Sequence, residues 1–125
     1  MEINSVSPRD YQVIQSYGDG GFRVSGRRFD GSVLVFPRHT VAWPVATAGE
    51  LTPECLALLA EASSPVELLL LGTGQRMQPV PAEVRRYIKG CGIALDVMDT
   101  GAACRTYNVL LAEGRPVAAA LMAVG

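Results

Sequence analysis

Two short loops carry the residues best suited to chemistry. Gly72-Thr73-Gly74 follows the apolar run Val66–Leu71, and Asp99-Thr100-Gly101 follows the apolar run Ile93–Met98. Glycine lets a backbone approach a ligand closely. Threonine hydroxyls donate and accept hydrogen bonds. A helix beginning at either loop offers free N–H groups and partial positive charge to an anion. Arg105, just downstream, adds a cation. The set Gly72, Thr73, Gly74, Asp99, Thr100 and Arg105 would therefore suit a small anion or a carboxylate. It matches no phosphate-binding fingerprint: Gln75-Arg76-Met77-Gln78-Pro79 delays any helix after Gly74, and no Gly-Lys-Ser/Thr follows. Tight strand-to-helix turns with a threonine cap explain the same residues and are the simpler reading.

Cys104 falls in the first turn of the helix expected after Gly101. That position lowers a thiol pKa and would permit redox or nucleophilic chemistry. A nucleophile needs a base, and the single histidine, His39, is distant in sequence. Packing as a small buried side chain is the plainer role for Cys104, as a surface position is for His39. Cys55, Cys91 and Cys104 are widely spaced with no C-x-x-C pair, which fits reduced thiols and no metal site. Glu67 and Asp96 lie within apolar strands, where a buried carboxylate needs a partner such as Arg85 or Arg105. They form no acid/base pair. Trp43 and Phe36, near Pro37 and Pro44, would form either an exposed apolar surface for a partner or part of the core. No catalytic set and no cofactor site emerge from these residues.

The elements that must position the loops read as follows. Tyr11–Tyr17 is a strand, Gly18-Asp19-Gly20-Gly21 a turn, and Phe22–Val24 a second strand continuing through Arg28. Asp30-Gly31 is a two-residue turn signal before the strand Ser32–Phe36, which Pro37 ends. Val41–Pro44 is a short extended piece. Thr52-Pro53 starts a helix whose apolar stripe is Leu51, Cys55, Leu58, Leu59 and Ala62. Val66–Leu71 is a strand buried on both faces. Pro81–Cys91 is a helix, Ile93–Met98 a strand, Ala102–Glu113 a helix and Val117–Met122 the last strand. Alternation of this kind predicts one α/β domain spanning residues 1–125, with three layers and a central mixed, mostly parallel sheet flanked by helices. The N-terminal hairpin strands would add an edge or subsheet, and the short last connection would allow one antiparallel strand. In such sheets ligands bind outside the carboxyl ends of the strands, where both glycine loops would lie if Leu71 and Met98 end adjacent parallel strands.

Bulk composition removes several function classes. The chain has 125 residues, 49% hydrophobic and 18% charged, as expected of a well-filled globule. Its formal net charge is -1, from 11 basic and 12 acidic side chains, so it lacks the basic surplus that non-specific nucleic-acid binding needs. The longest apolar runs are too short to span a bilayer. The start, Met-Glu-Ile-Asn-Ser-Val-Ser-Pro, has neither the pattern of a signal peptide nor that of a transit peptide, which points to a cytoplasmic protein.

Several motifs together carry a family resemblance. They are Leu69-Leu70-Leu71-Gly72-Thr73-Gly74, Gly92-Ile93-Ala94-Leu95-Asp96-Val97-Met98-Asp99-Thr100, Ala103-Cys104-Arg105-Thr106-Tyr107-Asn108-Val109-Leu110, Glu113-Gly114-Arg115 and the Ala-rich last strand. From about Val33 to Ala123 the chain resembles a family of small bacterial and archaeal proteins of unknown function. That family also includes a mitochondrial assembly factor for respiratory complex I and a vertebrate adipogenesis-associated protein. The resemblance implies a three-layer α/β fold with a central mixed sheet, and it brings no catalytic residue. It implies that Gly72, Thr73, Gly74, Asp99, Thr100, Tyr107 and Asn108 occupy the family's motif positions. Two functions compete. One is a non-enzymatic interaction or assembly protein whose partner is a respiratory-complex subunit or assembly factor, working as a monomer or homodimer. The other is an enzyme or sensor binding a small anion or metabolite at the two loops.

Overall fold

The computed structural model describes residues 11–59 and 66–125. Within it the N-terminal strands form an antiparallel meander: β1 (Ile14–Gly18), β2 (Gly21–Val24) and β3 (Arg27–Asp30). Both turns place two consecutive residues at positive φ, Asp19 (53°) with Gly20 (78°) and Ser25 (47°) with Gly26 (83°). That geometry matches the twist of the flanking strands. The second turn corrects the expectation of one strand running from Phe22 through Arg28. Ser25 is not a usual turn former at positive φ, and its hydroxyl stabilises it there: Ser25 Oγ donates to Tyr11 O at 2.8 Å and accepts from Val13 N at 2.9 Å.

The chain then crosses to a second sheet. Asp30-Gly31 is therefore not a hairpin turn between paired strands; β3 and β4 (Val33–Val35) belong to different sheets. The second sheet also contains β5 (Thr40–Ala42), β6 (Leu68–Gly72), β7 (Ala94–Met98) and β8 (Val117–Leu121), in the order β5-β4-β8-β6-β7. β6 pairs in parallel with both β7 and β8. β4 pairs antiparallel with β5 and β8. The fold is thus mixed α/β, and its larger sheet is mixed, with two parallel and two antiparallel pairings. Both antiparallel pairings involve β4, the strand that runs against the others. The last strand is not the antiparallel one, because a full helix precedes it and returns the chain in the direction of β6.

β6 and β8 lie at the centre of this sheet and are apolar on both faces, as a doubly covered strand must be. Leu69, Leu71, Ala118 and Ala120 join one hydrophobic cluster; Leu70, Val117, Ala119 and Leu121 join another. The first cluster takes in Val84 and Ile88 from α1 (Ala82–Gly90), together with Leu56 and Leu59. The second takes in Ala103, Tyr107 and Leu111 from α2 (Thr100–Ala112), and Phe22 and Val24 from the meander. Phe36 and Trp43 are buried in the first cluster, which corrects the idea of an exposed aromatic surface. The Trp43 indole finds its partner there, donating to Cys55 O at 2.7 Å.

Pro53–Leu59 is a 3-10 helix, not the α-helix expected. A period of three places Leu56 and Leu59 on the inner face and leaves Leu58 45% exposed. Ala62, assigned to the same stripe, lies outside the described residues. α2 begins at Thr100, two residues earlier than expected, because the Asp99 carboxylate caps it by accepting from Ala102 N at 2.8 Å.

Candidate functional site

The two glycine loops meet. Gly72 pairs with Met98 at the ends of adjacent parallel strands, so the segments that follow share one rim of the sheet. Their polar groups, however, bind one another. Thr73 N donates to Met98 O at 3.0 Å, and Thr100 N donates to Gly74 O at 2.8 Å. Thr100 Oγ1 accepts from Gly74 N at 2.9 Å and donates to Met122 O at 2.8 Å, tying three segments together from a fully buried position. Thr73 Oγ1 donates to Arg76 O at 2.8 Å and accepts from Gln78 N at 2.9 Å, closing the loop on itself. Asp99 is engaged as the helix cap. Gly72 is glycine for a packing reason: a Cβ there would lie 2.8 Å from Thr100 Cα.

Beside this rim lies an open cleft of about 440 Å³, lined by Thr73, Gly74, Gln75 and Gln78 with Ala46–Gly49 and residues 123–125. None of its lining side chains is charged. Arg105, expected to supply the cation, lines a different cleft. That second cleft, about 350 Å³, lies between β1 and α2 and is bounded by residues 14–17, Cys104, Arg105 and Asn108. The structure therefore brings together Gly72, Thr73, Gly74, Asp99 and Thr100 and separates them from Arg105 and Asn108.

Asn108 joins the meander to α2. Its Oδ1 accepts from Ile14 N at 3.0 Å and its Nδ2 donates to Ile14 O at 2.8 Å, as a neighbouring strand would. Tyr107 is fully buried, and its hydroxyl has no hydrogen-bond partner among the described residues. Burial alone pushes its ionisation far above the usual tyrosine range.

Cys104 is 4% exposed. Burial pushes its thiol up to about 12, outweighing the nearby Arg105 guanidinium, which pulls it down. The lowering expected from a helix start is not what this environment gives. His39 is exposed and stacks on Phe36, with centroids 4.5 Å apart and planes 7° from parallel. It lines a third cleft of about 290 Å³ with Arg27 and Arg38, away from the cleft that holds Cys104. Glu67 and Asp96 are exposed and form no ion pair among the described residues, where Arg28–Asp30 at 3.2 Å is the salt bridge present. Exposed carboxylates keep their hydration, so the partners expected from Arg85 or Arg105 are not required. No group of three His, Cys, Asp or Glu side chains among the described residues is arranged to hold a metal ion. No helix among them is long and apolar enough to cross a membrane.

The residue that the sequence did not single out is Tyr17. Its hydroxyl sits over Gly101, where any Cβ would collide with it and would lie 3.4 Å from an Arg105 guanidinium nitrogen. Only the bulge in β1, between Ile14 and Ser16, turns Tyr17 to that side, and irregular register leaves no simple periodic trace.

The chain is similar in sequence and fold to known proteins. NADH dehydrogenase (ubiquinone) 1 alpha subcomplex assembly factor 3 of Danio rerio is 39% identical over 110 residues, covering 88% of this chain and 63% of the relative. The chain thus spans rather less than two thirds of that relative's length. A crystal structure described as an outer membrane protein from Bartonella henselae superposes with a TM-score of 0.86 at 38% identity, covering 95% of this chain and all of the other. A Bordetella pertussis protein described as a Mth938-like domain superposes with a TM-score of 0.80 at 31% identity, covering 98% of this chain and 92% of the other. A family signature matches residues 14–122, and on that match the chain belongs to the DUF498/DUF598 family of proteins of unknown function.

Proposed function

We propose that this protein is a non-enzymatic interaction or assembly factor, and that its partner is a subunit or assembly factor of a respiratory complex. The observation that carries the reading is the state of the two loops. The groups expected to bind a small ligand are engaged in joining β6, α2 and the segment after β8, so this rim works as a structural junction. A rigid α/β scaffold of this kind acts through its surface. Relatives named as a complex I assembly factor, such as that of Danio rerio, favour the respiratory partner. We further infer a cytoplasmic location, a monomer or homodimer, and three layers, the last supported by the two hydrophobic clusters on opposite sides of the larger sheet. Cys104 is a packing residue in this reading, not a redox sensor.

The test is deletion of the gene, followed by native gels of respiratory complexes and affinity purification of the tagged chain. The expected result is impaired assembly of one complex and recovery of its subunits. Normal assembly in the deletion strain, with no such subunit recovered, would refute the proposal.

A further inference from the structure

We infer that the cleft between β1 and α2 is a docking site for an acidic segment of a partner protein, one of whose carboxylates seats against the Arg105 guanidinium. This inference rests on the interaction reading above and names the chemistry of the partner. Arg105 and the Tyr17 hydroxyl converge over Gly101, and both residues line the 350 Å³ cleft. Arg105 makes no hydrogen bond or ion pair among the described residues, and no acidic side chain lines the cleft. A lone guanidinium in an acid-free cleft is complementary to a carboxylate, which it can engage through two parallel N–H donors.

The rest of the lining is already fixed. Asn108 is held by the Ile14 backbone, and Gln15 Oε1 accepts from Gly26 N. The Ser16 and Tyr17 hydroxyls have no hydrogen bond among the described residues and complete the set of donors open to an incoming carboxylate. Two large apolar side chains exposed among the described residues belong to the same elements: Tyr17, 42% exposed, lines the cleft, and Val109, 57% exposed, stands one helical turn along α2 from Arg105. Tyrosine and arginine with aliphatic neighbours are what the centre of a protein interface uses. The exposed rims suit a side chain arriving on a protein surface better than a small molecule, which needs most of its area enclosed. The cleft near β5 is lined by two guanidinium groups, but Arg27 already lies over the Phe29 ring at 5.0 Å.

The test uses the full chain, labelled with nitrogen-15 and titrated with a capped Gly-Leu-Glu-Leu-Glu-Leu-Gly peptide. Its glutamine counterpart and sodium acetate serve as comparisons. The expected result is amide shifts centred on Tyr17, Arg105 and Val109, with binding about tenfold or more weaker for the glutamine peptide and for R105Q. R105Q should melt with the parent, since Arg105 supports no other group. Equal binding of both peptides, shifts centred on Arg85 and Arg86, or no binding at millimolar peptide would overturn the site. So would acetate matching the peptide's affinity, which marks a small-anion site. Dimerisation in sedimentation that R105Q abolishes would make the occupant a second copy and overturn the partner assigned here. In cells, R105Q is returned to the deletion strain. If deletion impairs assembly and R105Q restores it fully, the docking site falls while the assembly reading stands. If deletion leaves assembly normal, the assembly reading itself falls.

Discussion

Replacing Thr100 by valine removes one hydroxyl and leaves two backbone groups without a partner. The hydroxyl accepts from Gly74 N at 2.9 Å and donates to Met122 O at 2.8 Å. Valine is nearly isosteric, so the substitution opens no cavity, and the cost is the desolvation of those two groups. A buried donor or acceptor left unsatisfied costs about 1–3 kcal/mol. The Met122 carbonyl side of the contact is buried and takes the full penalty, while the half-buried Gly74 amide recovers part of its loss through water. The sum is about 2–4 kcal/mol, a large share of the ~5–15 kcal/mol that holds a domain folded. With a urea slope of about 2 kcal/mol per molar, the unfolding midpoint should fall by about 1–2 M. Thr100→Ser keeps the hydroxyl and loses a methyl group, so it should cost only about 1 kcal/mol. Urea titration followed by Trp43 fluorescence measures both. A valine variant within about 0.5 kcal/mol of the parent, or a serine variant as unstable as valine, would refute the view that this hydroxyl serves the fold.

Four further outcomes follow from the contacts and burial described above. Asn108→Ala removes both bonds to the Ile14 backbone and should cost about 1–3 kcal/mol, with faster hydrogen exchange at the Ile14 amide than at Val117 in β8. Gly72→Ala drives a Cβ to 2.8 Å from the Thr100 backbone, and thermal melts should show about 1–3 kcal/mol of destabilisation even though alanine is otherwise favoured over glycine. Native Cys104 should resist iodoacetamide at pH 8 while the half-buried Cys55 and Cys91 react, as read by mass spectrometry of the intact protein. For the same thiol the folded value, about 12, lies above the ordinary 9.0, so the unfolded chain ionises first. Its contribution to stability is fully present below pH 9.0 and is lost as pH rises toward about 12; Tyr107, shifted in the same direction, steepens that loss. A denaturation midpoint that stays level across that window would contradict the burial of both groups.

The parallel pairing of β6 with β7 was legible because a nearly unbroken apolar run ending in glycine describes few things besides a doubly covered strand, and Val66–Leu71, interrupted only by Glu67, is such a run. Helix α1 was legible from the spacing of Val84 and Ile88. The turn at Ser25-Gly26 was hidden because serine rarely adopts positive φ, and the bonds that hold it there come from Tyr11 and Val13, more than ten residues upstream. The 3-10 character of Pro53–Leu59 was hidden because seven residues are too few to separate a period of three from one of 3.6: the α-helical stripe took Leu58 with Leu59, whereas the tighter turn buries Leu56 with Leu59. The candidate site was half legible. The meeting of the glycine loops followed from strand adjacency, but the sequence could not show that Thr100 would reach Met122, nor that Arg105 would turn toward β1. Both depend on how α2 is rotated about its axis, which is set by long-range packing of Tyr107 and Leu111.

Strand β8 is the last of the described strands in sequence, yet it lies between β4 and β6 in space. Neither half of the larger sheet can join the other until residues 117–121 arrive. On the ribosome, β4, β5, β6 and β7 must wait with apolar edges open while α2 is made and clears the exit tunnel. Such late, non-local closure slows folding and leaves the nascent chain exposed to wrong pairings. Loss of only these few residues should therefore prevent the sheet from forming rather than trim it, and holdase chaperones should bind the unfinished chain.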